Sequence, residues 1–104
     1  MVAWSPAAKP MPHAGVVKNL AINVDANTID NAGHDATVTF TVYKNGVATA
    51  VKVTLPNVGT GKFYDNVNSV AFAKGDMFEV VMTHTGATGG TISDASGSVD
   101  CERT

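Results

Sequence analysis

TVTFTVYKNGVATAVKVTL, residues Thr37 to Leu55, decides the fold class, because it alternates apolar and polar residues on both sides of a two-residue turn signal. Val38, Phe40 and Val42 alternate with threonines before Asn45-Gly46, and Val51, Val53 and Leu55 alternate with Ala50, Lys52 and Thr54 after it. A period of two belongs to a strand with one face covered. Asn-Gly suits the positive φ angles of a type I′ turn, whose twist matches the flanking strands, so the stretch reads as a β-hairpin.

Working outward, Val16 to Asp25 reads as a first strand with the even positions Val16, Leu20, Ile22 and Val24 inward. Ala26 to Asp35 is a loop of Asn, Asp and Gly, residues that accept left-handed backbone or bond locally to it. After Pro56-Asn57, Gly59 and Gly61, Lys62 to Ala73 gives a bent strand or an edge-like strand pair, with Phe63, Val67, Val70 and Phe72 inward. Lys74-Gly75-Asp76 is a turn, and Met77 to His84 alternates Phe78, Val80 and Met82 against Glu79, Val81 and Thr83. Beyond the GATGG of Gly86 to Gly90, the tail places Ala95, Gly97, Val99 and Cys101 on one side. Seven or eight short strands, about ten residues apart, predict an all-β protein: one β-sandwich, since each strand has a single apolar face to cover.

The chain has 104 residues, which predicts one domain able to bury a core without staples. Charged residues make up 15% and the net charge is -2, so there is no basic footprint for nucleic acid and no basic amphipathic face for a membrane. Cys101 is the lone cysteine, which excludes an intrachain disulfide. The beginning lacks the long apolar core of a signal peptide, so synthesis in a cytoplasm is expected.

Residues 1–14 carry Pro6, Pro10 and Pro12 and show neither period. Proline fixes φ and removes a donor, so this segment is expected to be an extended arm outside the sheets, with residues 15–104 forming the sandwich. Its apolar points are Trp4 and Met11. Trp4, Pro6, Pro10, Met11, Pro12 and His13 are the candidate partner-binding residues, with Trp4 as the anchor.

Chemistry-bearing patterns reduce to turn grammar. Gly59-Thr60-Gly61-Lys62 fails as a phosphate loop, because Pro56 stands where the first Gly is needed and Phe63 where Ser or Thr should follow the Lys. Asp25, Asn27, Asp30, Asn31 and Asp35 make an oxygen-rich loop without the ligand order of a calcium hand. His13, His34 and His84 are scattered, with none of the spacings of a zinc site. A Ser or Cys101 paired with His84 and an Asp has no strained turn to present it. Tyr43, Tyr64 and Phe63 would serve as a stacking platform for a sugar, but at 7% aromatic content a core role is expected for them. These readings predict no enzyme, no cofactor and no metal.

The run TFTVYKNGVATAVKVTL, with the later SVAFAKGDMFEVVM, resembles the jelly-roll type β modules of tailed-bacteriophage structural proteins. The matching pieces are the Asn45-Gly46 hairpin and the Gly75-Asp76 turn, and the likeness spans roughly Leu20 to Met82. The resemblance implies a jelly-roll-like sandwich in a virion, often as a homotrimer. It is most like a head decoration, or cement, protein that bridges major capsid protein subunits on the capsid exterior. A receptor- or carbohydrate-binding module of a tail fibre or baseplate is the alternative it implies. Tail-fibre shaft repeats and coiled-coil heptads are not found in this sequence. Fold likeness alone does not fix which role applies.

Overall fold

The computed structural model describes residues 2–3, 8–86 and 90–104. It holds β1 (Val2–Ala3), β2 (Lys9–Pro10), β3 (Gly15–Asn27), β4 (Thr37–Lys44), β5 (Val47–Leu55), β6 (Gly61–Phe72), β7 (Met77–Thr85) and β8 (Ile92–Arg103). Two antiparallel sheets form a sandwich. One has the order β7-β4-β5, with β1 and β2 both paired to the outer edge of β7; the other has the order β6-β3-β8.

The central hairpin forms as its sequence dictates. Lys44 pairs with Val47 across the turn, and Asn45 and Gly46 have φ of 51° and 79°. Both central residues therefore have the positive φ that a type I′ turn demands. Val38, Phe40 and Val42 of β4 and Val51, Val53 and Leu55 of β5 are buried in the shared core. Leu20, Ile22 and Val24 of β3 close on them from the other sheet, joined by Phe72 and Val80. β-branched residues dominate this interior because they pack well on a pleated surface.

Two expectations of strand parity are corrected by one irregularity. Lys18 pairs with Ser69 and Leu20 with Asp65, so Asn66, Val67 and Asn68 face a single residue, Asn19. On the other side, Asn19 and Leu20 together face Val99. Asn19 sits at φ 55°, and its amide donates to the Asp100 carboxylate at 2.8 Å. A bulge on a period-two strand exchanges the faces, so Val17, rather than Val16, is buried alongside Leu20. The same bulge throws Val67 outward to 86% exposure, against its expected inward place. In the tail, Ala95 and Val99 pack on the core while Gly97 and Cys101 are exposed, because β8 lies at the edge of its sheet.

The arm also departs from expectation. Instead of standing outside the sheets, Val2–Ala3 lies antiparallel to Val81–Met82, and Lys9–Pro10 lies antiparallel to Met77–Phe78. Proline is tolerated on an outermost strand, where its missing donor faces away from the ladder. Met11 then enters the core at 9% exposure; its amide donates to the Asp76 carbonyl at 2.8 Å, and its carbonyl accepts from Gly75 at 2.8 Å.

Candidate functional site

The elements that carry functional expectations meet at one end of the sandwich. The Asn45 side chain accepts from the Met77 amide at 2.8 Å through Oδ1 and donates through Nδ2 to Asp76 Oδ1 at 3.1 Å. Its own amide donates to the Met77 carbonyl at 2.9 Å. The other Asp76 oxygen accepts from the Ala73 amide at 2.8 Å. Lys44 Nζ donates to the Ala71 carbonyl at 2.8 Å, lies 3.7 Å from Asp76 and sits 5.7 Å from the centre of the Phe72 ring. The Ala73 bond, then the Asn45 bond, hold the Asp76 carboxyl below its ordinary pKa. The β4–β5 hairpin, the β6–β7 turn and Met11 of the arm are thus clipped into one tip.

Among the candidate arm residues, Trp4 and Pro6 lie outside the described residues. Pro10 and Pro12 are exposed, and His13 is half-buried with Nδ1 3.0 Å from the Ala14 carbonyl. Met11 is spent on this chain's own core, so Pro10 and Pro12 are the described candidates whose surface faces outward.

The oxygen-rich loop bonds to itself. Asp30 accepts from the Asn57 side chain at 2.8 Å and from the Asn31 amide at 2.7 Å, with His34 Nδ1 at 3.1 Å. The first of these bonds does most to hold the Asp30 carboxyl below its usual pKa. The Asn31 side chain donates to Asp35 at 2.6 Å and to the Gly86 carbonyl at 2.8 Å, and accepts from the Asp35 amide at 3.0 Å. This is turn chemistry that fastens the loop between Asn57 and the end of β7. Among the described residues no three His, Cys, Asp or Glu side chains gather as metal ligands do. His84 and Cys101 are both exposed and stand on different sheets, in β7 and β8.

Two features escaped the sequence reading. Asp65, at 7% exposure, accepts from the Lys52 amide at 3.1 Å, the Val67 and Asn68 amides at 3.0 Å each, and the Asn68 side chain at 3.0 Å. Burial alone would raise its pKa; the hydrogen bonds outweigh that and bring it down to about 2. The carboxylate pins the bulge and ties β6 to β5 across the two sheets. Its signal was present as an acid at the same parity as Phe63. Tyr64, expected in a core role, is 67% exposed and forms the ridge between two shallow hollows. One, of about 250 Å³, has Asn23, Lys62, Ser96 and Ser98 along it; the other, of about 480 Å³, has Lys52, Thr54, Asn66 and Asn68. Phe63 is half-buried and packs on the core.

The outer face of the larger sheet is knitted by hydroxyls: Thr37 to Thr85 at 2.7 Å and Thr39 to Thr54 at 3.1 Å. Thr41 and Val81, paired on that same face, are buried. No known protein family, no curated protein and no solved structure matches this chain.

Proposed function

We propose that the protein is a non-enzymatic capsid decoration protein, a cement protein that bridges major capsid protein subunits on the outside of a phage head. The observation that carries this reading is the tip. The two turns behind the likeness to phage structural modules, Asn45-Gly46 and Gly75-Asp76, are bonded to each other, and the arm is anchored beside them through Met11. An arm with restricted proline torsions, held at a fixed point, loses little chain entropy when its outward residues dock on a neighbour. Many copies then add small contact energies across a shell.

The test is copy number in purified particles, measured by quantitative mass spectrometry against the most abundant capsid protein. A ratio near one per capsid subunit is the expected result. A handful of copies per particle overturns the shell-wide role and moves the protein to the tail.

That second outcome has its own supporting observation. Tyr64 offers an exposed aromatic face between hollows edged with hydroxyls, amides and lysines, a surface suited to stacking a sugar. A receptor- or carbohydrate-binding module predicts glycan-array signals that Tyr64→Ala removes.

A further inference from the structure

Among the described residues the outermost strands of the two sheets are the arm strands β1 and β2, then β5, β6 and β8. The outer edge of β7 is covered by β1 and β2 of the chain's own arm. At the far side β5 turns onto β6, and its Lys52 amide is taken by Asp65. β6 also pairs only with β3, but its edge is broken by the bulge at Asn66, Val67 and Asn68. β8 pairs with β3 on one side, among the described residues nothing pairs with the other, and it carries no such bulge. This edge is twelve residues long, Ile92 to Arg103. A bare edge of that length is a row of backbone donors and acceptors ready for another strand. Edges are normally blunted by proline, lysine or a local bulge, and the stretch Ala95-Ser96-Gly97-Ser98-Val99 has no proline and no charge. The irregularity opposite it places its extra residues in β3, leaving β8 regular.

We infer that β8 is an interface between two copies of this chain, paired antiparallel about a two-fold axis, so that two three-stranded sheets become one of six. This goes beyond the decoration reading and stands or falls independently of it. A second copy fits because the edge is self-complementary. In an antiparallel pair related by a two-fold, the axis passes through a residue that faces itself. An axis at Val99 sets Val99 against Val99, Ser98 against Asp100 and Ser96 against Glu102 of the other copy. Each carboxylate then faces a hydroxyl, and no like charges stand directly opposite. Moving the axis one residue, to Asp100, would set Asp100 against itself. Within its own chain, Asp100 already accepts from Asn19, and Glu102 is paired with Lys18 at 2.6 Å, which softens the acidity of this half of the strand. The pairing is isologous and closed, so it consumes the β8 edge of both copies.

Sedimentation equilibrium of the full chain at about 10 to 100 µM is the direct test; a two-copy species is expected. Ser96→Glu, at an exposed position, places like charges opposite Glu102 twice per pair and is expected to weaken association at least tenfold. Ser96→Lys at the same position is expected to strengthen it, with both effects shrinking in 1 M salt. Gly97→Cys stands opposite the native Cys101 of the other copy. It is expected to give a disulfide-linked pair on non-reducing gels under oxidised glutathione, and none in a Cys101→Ser background. Thermal melts of each variant verify that the sandwich is folded. A monomer or a trimer throughout that concentration range overturns the inference, as does a dimer indifferent to Ser96→Glu. Should a variant fail to fold, amide exchange of unaltered protein decides: protection of Ala95 to Arg103 must rise with concentration, and unchanged exchange overturns the inference.

Discussion

At the scale of single residues, the most informative side chain is an acid in the middle of a strand. Asp65 stands where the alternation of β6 calls for an apolar residue, and its carboxylate is filled by four donors from Lys52, Val67 and Asn68. Asp65→Ala removes the charged acceptor of three part-buried backbone amides and is expected to cost about 1.5–3 kcal/mol in urea unfolding, in the range for hydrogen bonds to a charged group. Its pKa is lowered from 3.8 to about 2. A depressed carboxyl stabilises the fold above its unfolded pKa, so this contribution is complete above about pH 5 and fades as pH falls through about 2. Asp65→Asn is expected to flatten that acid limb of the stability profile. Val58 carries the opposite message: it holds φ 46° at the third position of the turn whose Gly59 amide donates to the Pro56 carbonyl at 2.9 Å. A β-branched residue is strained there, and the side chain is 44% exposed, outside the core. Val58→Gly is expected to raise stability by about 1 kcal/mol, seen as an increase in Tm.

At the scale of elements, the hairpin is more than its own strands. Asn45 supplies the left-handed turn and, at the same time, both ends of the clip to Met77 and Asp76. The two jobs separate by substitution. Asn45→Gly keeps the turn and loses the clip, and is expected to cost about 1 kcal/mol; Asn45→Ala loses both and is expected to cost about 2–3 kcal/mol. Equal losses in the two variants would mean that the left-handed turn contributes nothing, and no loss in Asn45→Gly would mean that the side-chain bonds contribute nothing. The bulge at Asn19 explains why alternation read correctly in β4, β5 and β7 but failed in parts of β3 and β6. Period two assigns faces only while the register holds, and Val16 and Val67 were assigned across a break in it.

At the scale of the whole molecule, the arm changes the experiment that tests its role. A chain beginning at Ala14 would lack Met11, a buried core side chain, and its two backbone bonds to the β6–β7 turn. It is expected to lose about 2–4 kcal/mol by thermal or urea unfolding, in the range for removing a buried Met. A chain beginning at Ala8 keeps β2 and Met11 and is expected to lose under 1 kcal/mol. Only the Ala8 form therefore separates docking through the Trp4 end of the arm from the arm's structural part: in the decoration reading with Trp4 as the anchor, it folds and fails to bind particles.

The sequence by itself determined the class of fold. Alternation around Asn45-Gly46, β-branched composition and regularly spaced turns require strands with one covered face, and two packed sheets cover them. Candidate chemistry was legible mainly as what the turns already explained, as in the Asp30 to Asp35 loop. Tertiary structure decided which strands share a sheet and where the register breaks. It also took Met11 of a proline-rich arm into the core, set Tyr64 outside it, and left β8 as a long edge without a bulge. The reason is physical. Periodicity is a property of neighbours along the chain, whereas pairing, bulges and edge coverage depend on hydrogen bonds between residues far apart in it, such as Asp65 with Lys52 and Asn45 with Met77.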